Sequence, residues 1–335
     1  MEYRTLGRTG VQVSSLCFGT MSFGGDADET TAAALFNRCR EAGINFFDCA
    51  NVYNKGRSEE ILGRLIAAAG CREEVVITSK INFPMTPDPN GRGSSRRHIM
   101  RQVEGSLKRL GAGWIDLYFL HGWDAKTPMD ESLRALDDLV HQGKILYAGV
   151  SNWAAWQIAK ALGISALKNL TRFECIQPMY SLVKRQVEVE VLPLARSEQV
   201  GVMTYSPLGG GLLTGKFGVG RQPESGRLTA NKMYQTRYGD EINFEVADRL
   251  TAYAASHDTH PATLAVAWVM SHPAITAPIV GARNLEQLEP SLKAAELKMT
   301  PEWRAELSAL SPEPPSATDR SEEKKGMTYQ GALAK

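Results

Sequence analysis

Asn45-Phe-Phe-Asp48-Cys-Ala-Asn-Val-Tyr53-Asn-Lys-Gly-Arg-Ser58-Glu-Glu60 is the stretch that organises this chain. A short apolar run ends in a carboxylate, Asp48, and a phenol, Tyr53, follows in a Gly-containing loop. Ser58-Glu-Glu then has the form of a helix start. A charged group at the end of a buried strand, with a second reactive group in the next loop, points to an active site.

Working outward, the same arrangement repeats. Residues 3–15 form two short alternating runs around a Gly-rich turn, a hairpin pattern. Strand-like runs then fall at 16–18, 45–47, 75–79, 115–120, 145–150, 173–176, 200–204 and 275–279. Helix-period segments separate them at 29–42, 58–69, 95–110, 130–142, 154–161, 188–197 and a pair across 244–272, with another at 285–292. This alternation predicts an α/β fold, a (β/α)8 TIM barrel with an N-terminal β-hairpin and a long loop after strand seven. An open doubly wound sheet is the alternative, but no strand is followed by Gly-x-Gly-x-x-Gly. One domain is expected over residues 1–310. Residues 311–335 form a tail rich in Pro, Ser and charge, either disordered or folded over one end of the barrel.

The bulk composition narrows the function classes. The chain has 335 residues, 43% hydrophobic and 8% aromatic, which suits a full core. A net charge of +1 argues against a nucleic-acid binder. No signal peptide opens the chain and no apolar run is long enough for a membrane span. The five cysteines lack metal-like spacing and fit reduced thiols, so a cytoplasmic location is expected.

In such a barrel, catalytic groups sit at the C-terminal ends of strands. The second strand leads to Asp48 and Tyr53, the third to Lys80 and the fourth to His121. The fifth runs into Ser151-Asn152, the sixth into Gln177 and the seventh into Tyr205-Ser206. Each residue alone has an ordinary structural explanation; the joint arrangement carries the weight. Gly210-Gly-Leu-Leu-Thr-Gly-Lys216 nearly spells a P-loop, but Phe217 stands where the Mg²⁺-binding Ser or Thr belongs.

These motifs resemble the aldo-keto reductases. The likeness is carried by Phe47-Asp-Cys-Ala-Asn-Val-Tyr53, Ser58-Glu-Glu, Lys80, Asp116-Leu-Tyr-Phe-Leu-His121 and Gly149-Val-Ser-Asn152. Gln177-Pro-Met-Tyr-Ser181 and Ser206-Pro-Leu-Gly-Gly-Gly-Leu-Leu-Thr-Gly-Lys216 extend it. The long-loop branch, with bacterial reductases and potassium-channel β subunits, is the most similar. Asn51 and Pro290-Ser291 depart from the family's usual residues.

The resemblance implies hydride transfer between NADP(H) and a carbonyl carbon, with no metal. Tyr53 is the expected acid in reduction and base in oxidation, with Lys80 lowering its pKa. Asp48 would hold Lys80, and His121 would donate to the carbonyl oxygen. Ser151, Asn152 and Gln177 are expected at the nicotinamide carboxamide, and Tyr205 under its ring. Ser206, Leu208, Gly210 and Lys216 are expected along the pyrophosphate. Arg227 is either a phosphate contact or a surface cation. Arg283 would grip a 2′-phosphate and Gln287 would reach the adenine. Phe23, Trp123 and Tyr234, beside Tyr53, would wall an apolar substrate pocket.

The expected partner is a small carbonyl or alcohol substrate, with no nucleic acid or membrane; substrate and oligomeric state are left open. A regulatory NADPH-binding subunit with vestigial catalysis is the alternative. The start of the chain almost directly at the hairpin disfavours it.

Overall fold

The structure, a computed structural model, describes residues 1–318. A hairpin of β1 (Tyr3–Thr5) and β2 (Gln12–Ser14) precedes the barrel. Eight parallel strands then close on themselves: β3 (Cys17–Gly19), β4 (Phe46–Asp48), β5 (Val76–Ile81), β6 (Ile115–Leu120), β7 (Ile145–Ser151), β8 (Phe173–Gln177), β9 (Gly201–Thr204) and β10 (Ala277–Val280). Each pairs with its neighbour in sequence, and β10 closes the ring on β3 through Ile279 and Cys17. This is the expected (β/α)8 barrel.

The helices are α1 (Glu29–Glu41), α2 (Arg57–Ala69), α3 (Arg96–Leu110), α4 (Met129–His141), α5 (Ala155–Lys168) and α6 (Val191–Ser197). After β9 come α7 (Arg227–Ala230), α8 (Lys232–Tyr238), α9 (Glu241–Ser256) and α10 (Pro261–Met270), then α11 (Leu285–Leu292) and α12 (Pro301–Ser308). Local chemistry sets their ends. Asp28 caps α1 by accepting from the Thr31 amide, and Ser95 caps α3 by accepting from the His98 amide. Gly111 ends α3 in the left-handed region.

Side-chain alternation along the strands makes two cores. Inside the barrel, Cys17, Phe46, Leu117, Phe119, Cys175, Met203 and Ala277 pack with Leu6 and Val13 of the hairpin segment. The hairpin therefore contributes to the interior core. Its turn demands a glycine at Gly7, where φ is +54° and a Cβ would lie 2.7 Å from the Glu174 carbonyl oxygen. A larger core lies between the strands and the surrounding helices.

Two expectations need correction. The strand runs read at 45–47 and 75–79 extend one and two residues further, to Asp48 at the end of β4 and past Lys80 to Ile81 in β5. Their charges are partnered there, so polarity did not end the strand. The long loop expected after strand seven is partly ordered into regular structure: it holds a 3₁₀ turn at Gly209–Thr214 and the helices α7 and α8. Arg221 ties this segment to α9 by a 2.8 Å ion pair with Asp248. The start of the tail is anchored too: Arg185 donates to the Ser308 and Ser311 carbonyls. The remainder of the tail, residues 319–335, lies outside the described residues.

Candidate active site

Asp48, at the end of β4, and Lys80, in β5, meet at the C-terminal mouth of the barrel. Lys80 Nζ lies 2.6 Å from Asp48 Oδ1 and 2.7 Å from Oδ2. It also donates to the Cys49 carbonyl at 2.7 Å and approaches Tyr53 Oη at 3.4 Å. An ammonium has three N–H donors; here each finds an acceptor. Lys80 is fully buried. Burial opposes its charge, but Asp48 outweighs burial and holds the ammonium above its ordinary pKa. Asp48 also accepts from Thr78 Oγ1 at 2.7 Å and from Gln177 Nε2 at 2.8 Å. A buried pair persists only when its remaining polar capacity is satisfied, and this pair meets that condition.

Tyr53 is presented by a turn at Tyr53–Gly56 whose backbone is left-handed at Asn54 (φ 46°), Lys55 (φ 55°) and Gly56 (φ 93°). Non-glycine residues in this region cost energy and need outside support. Asn54 supplies it, donating to the carbonyls of Met21 and Phe23. The Tyr53 phenol has a pKa of about 12: burial raises it, Lys80 pulls it down, and burial prevails. Lys80 thus acts in the expected direction, but the expected net lowering is not what the folded chain shows. Tyr53 remains protonated across the physiological range.

His121 follows β6, with its ring edge-on to Tyr53 at 5.9 Å between centroids. Its Nδ1 is enclosed without a hydrogen-bond partner. Burial, then the Lys80 charge, hold its pKa well below normal, so the imidazole is neutral. Phe83, missed in the sequence, stands edge-on to His121 at 4.9 Å and is 42% exposed. Its signal was its place three residues beyond Lys80. Thr78 was missed too, although period-2 alternation places it on the same face of β5 as Lys80.

The expected pocket residues divide. Trp123 is half-buried and packs edge-on against Trp153 at 4.8 Å. Phe23 is fully buried against Phe18 in the core, so it does not wall a pocket. Tyr234 is also buried: it stacks on Tyr238, and a Cβ at Gly210 would lie 2.6 Å from its ring. It covers the glycine loop at Gly210.

Four of the residues expected on the cofactor side, Ser151, Asn152, Gln177 and Tyr205, join Asp48 and the His121 backbone in one chain of hydrogen bonds. Ser151 Oγ donates to the Gln177 carbonyl at 2.8 Å. Asn152, left-handed at φ 59°, donates from Nδ2 to the His121 carbonyl and to Ser151 Oγ. Its Oδ1 accepts from Tyr205 Oη at 2.7 Å. Burial pushes the Tyr205 phenol up to about 12, which keeps it a donor. Beyond Tyr205 the backbone turns sharply, with positive φ at Ser206, Gly209, Gly210 and Gly211. Leu208 caps the turn, its carbonyl accepting from the Gly211 and Leu213 amides. Nothing lies within 4 Å of a Cβ placed on Gly211, which leaves that side of the loop open.

Lys216 is exposed nearby, and Arg227 is half-buried at the start of α7. At the opening of α11, Gln287 accepts from the Arg283 amide at 3.3 Å, and Asn284 caps the helix. The glycine turn, this helix start and the flat Tyr205 ring suit an elongated ligand with a planar head and anionic groups.

The aldo/keto reductase family model matches residues 15–311. The uncharacterized oxidoreductase YrpG of Bacillus subtilis (strain 168) is 40% identical over 328 residues, covering 95% of this chain and 98% of that protein. A probable voltage-gated potassium channel subunit beta of Oryza sativa subsp. japonica is 36% identical over 325 residues, covering 95% and 99%. Another from Arabidopsis thaliana is 37% identical over 303 residues, covering 89% and 92%. With a closed eight-stranded barrel and a match over nearly its whole length, this chain belongs to the aldo/keto reductase family, oxidoreductases of NAD(P)H-linked carbonyl reduction.

Proposed function

We propose that the chain is an NADP(H)-dependent reductase of aldehydes or ketones, working in the cytoplasm, with Tyr53 as its acid. The carrying observation is the placement of the Tyr53 phenol 3.4 Å from a fully partnered, buried ammonium and edge-on to a neutral imidazole. The five free cysteines, all buried, suit the proposed compartment.

When bound, a reduced nicotinamide supplies the hydride; the chain's own residues manage the proton. His121, neutral and with Nδ1 sealed, offers its other ring nitrogen as a donor to the carbonyl oxygen. Charge builds on that oxygen as the carbonyl is reduced. The alkoxide is a stronger base than phenolate, so Tyr53 Oη can hand over its proton despite its raised pKa. The phenolate left behind is stabilised by Lys80, which Asp48 keeps charged and in place. In oxidation the sequence reverses, and Tyr53 must first be deprotonated.

Ser151, Asn152, Gln177 and Tyr205 would hold the nicotinamide end. Ser206, Leu208, Gly210, Lys216 and Arg227 are proposed along the phosphates. Arg283 at the α11 start would favour a 2′-phosphate, with Gln287 beside the adenine. Trp123 and the added Phe83 make an aromatic rim that suits apolar carbonyl substrates.

The relatives named as potassium channel β subunits support a second reading, a nicotinamide-binding regulatory subunit. One experiment separates them: titrate the protein with NADPH and NADH, then follow reduced-nicotinamide absorbance with a panel of aldehydes. Tight NADPH binding with turnover supports the reductase. Binding with no turnover on any aldehyde or ketone favours the regulatory reading, and no binding overturns both.

A further inference from the structure

Strands β5 and β6 run into neighbouring loops at the mouth, and one carboxylate ties the two loops together. The first loop, residues 82–94, carries Phe83 edge-on to His121 at 4.9 Å. Its base is closed by the Gly93 amide, which donates to the Asn82 carbonyl at 2.8 Å. The second loop, residues 121–128, carries His121, Trp123 and then Asp124. Asp124 Oδ2 reaches across to the first loop and accepts from the Ser94 amide at 2.9 Å. Within its own loop Asp124 accepts from Thr127 Oγ1 at 2.7 Å and from the Lys126 amide at 2.9 Å. Burial raises its pKa, but these hydrogen bonds outweigh burial and hold the carboxyl below its ordinary value.

The sequence makes room for this crossing. Gly93 has φ +80°, and a Cβ there would run into Asp124 Oδ2. At Gly122 a Cβ would lie 3.0 Å from Asn82 Nδ2, so the two loops also meet closely beside His121. Ser94 has a second, separate anchor, because Ser132 Oγ of α4 donates to its carbonyl at 2.7 Å. The start of α3 therefore stays attached when Asp124 is altered.

The geometry points to Asp124 as a positioning residue: its carboxylate latches the Phe83 loop to the His121 loop and sets the spacing of the aromatic rim. This rests on the proposal that a carbonyl substrate enters beside His121, and it adds what holds the rim around that substrate. Phe83 is 42% exposed, so its place against His121 depends on how the loop beneath it is tethered. Released from Asp124, the ring would no longer be held there, and a flat aromatic carbonyl would lose a wall. A small aliphatic aldehyde that does not reach Phe83 would lose nothing.

The test uses the full chain with NADPH and two aldehydes, para-nitrobenzaldehyde and propanal. Asp124→Asn keeps the size and one acceptor oxygen, but sets an N–H₂ against donors on one side. KM for para-nitrobenzaldehyde should rise about tenfold, the lower end of what a hydrogen bond to a charged group contributes. The kcat, the NADPH affinity and the KM for propanal should stay within about twofold. Phe83→Ala should raise the same KM, and adding Asp124→Asn to it should change that KM no further. Trypsin cleavage after Arg92, an exposed residue of the tethered loop, should quicken in Asp124→Asn, read by fragment mass. In the unaltered chain the Ser94 amide should exchange hydrogen slowly beside that of Arg92.

Equal exchange at those two amides would overturn the latch without needing any variant to fold. An unchanged KM for para-nitrobenzaldehyde, an equal loss with propanal, or a further rise on top of Phe83→Ala would overturn the positioning role. A chain that reduces no aldehyde would sink the reductase reading and the substrate role with it. That failure is told apart from failure of the latch, because exchange and cleavage are read without turnover.

Discussion

Strand β5 carries a buried ionic network on each of its faces, one residue apart in sequence, and the two differ in what they leave unfinished. Lys80 points into the barrel and meets Asp48. Ser79 points outward to the helices, where its hydroxyl donates to Glu59 of α2. Glu59 is fully buried and also accepts from Arg109 Nε of α3 at 2.6 Å. Both networks pair a buried carboxylate with a cation. The outer one closes on itself: among the described residues, Arg109 continues to Ser106 of its own helix. The inner one passes its charge to a phenol at the open mouth, with Lys80 Nζ 5.0 Å from the Tyr53 ring centroid. Buried charge therefore does not mark a site by itself. A charge whose last contact is a transferable proton does.

The largest expected effect tests that distinction at the phenol. Tyr53→Phe keeps the ring and removes the proton, so turnover should fall by about 10²–10⁴-fold. NADPH affinity, measured by fluorescence titration, should stay within a few-fold. Turnover close to that of the unaltered protein would remove Tyr53 from the chemistry and make the inner network as structural as the outer one.

Arg109→Ala probes the other face. It strands the Glu59 carboxylate, and removing one partner of a buried pair costs about 3–5 kcal/mol, readable by urea denaturation. Turnover per folded molecule should stay within a few-fold. The two networks do touch at one place: a Cβ on Gly56 would lie 2.6 Å from the Arg109 side chain, so Arg109 backs the turn that presents Tyr53. A collapse of turnover with stability retained would show that the outer network positions the phenol, and the division between the faces would dissolve.

How much of this was legible in the sequence follows the same line. Period-2 and helical alternation predicted the eight strands and the barrel, because burial imposes those patterns directly. Ionisable residues at successive strand ends marked Asp48, Lys80, Tyr53 and His121 before any distance was known. What escaped depended on packing across elements distant in sequence. Thr78 reads as one more polar strand residue until its hydroxyl is placed on Asp48. Phe23 and Tyr234 read as pocket walls because an aromatic near a strand end looks the same whether it faces ligand or core. The segment after β9 read as a long loop because nothing local announces that Arg221 will reach Asp248 on α9. The net acidity of Tyr53 was also out of reach, since it is a contest between burial and a cation whose balance is set only by the folded surroundings.

That contest yields the smallest expected effect, a flat line on one side of the reaction and a slope on the other. With its pKa at about 12, Tyr53 holds its proton throughout the working range. His121 is neutral because its pKa lies well below normal, so it does not gain charge near pH 6 as an ordinary histidine would. In the proposed mechanism carbonyl reduction uses protonated Tyr53 and neutral His121, both already present, so its turnover should be nearly constant between about pH 6 and 9. Alcohol oxidation needs the phenolate, whose fraction rises about tenfold per pH unit below the pKa, so its turnover should climb over the same range. Both profiles come from one buffer series with the two substrates. A reduction rate that falls above neutrality would mean that Lys80 prevails over burial once ligands are bound, and a fall below about pH 6 would restore an ordinary, titrating His121.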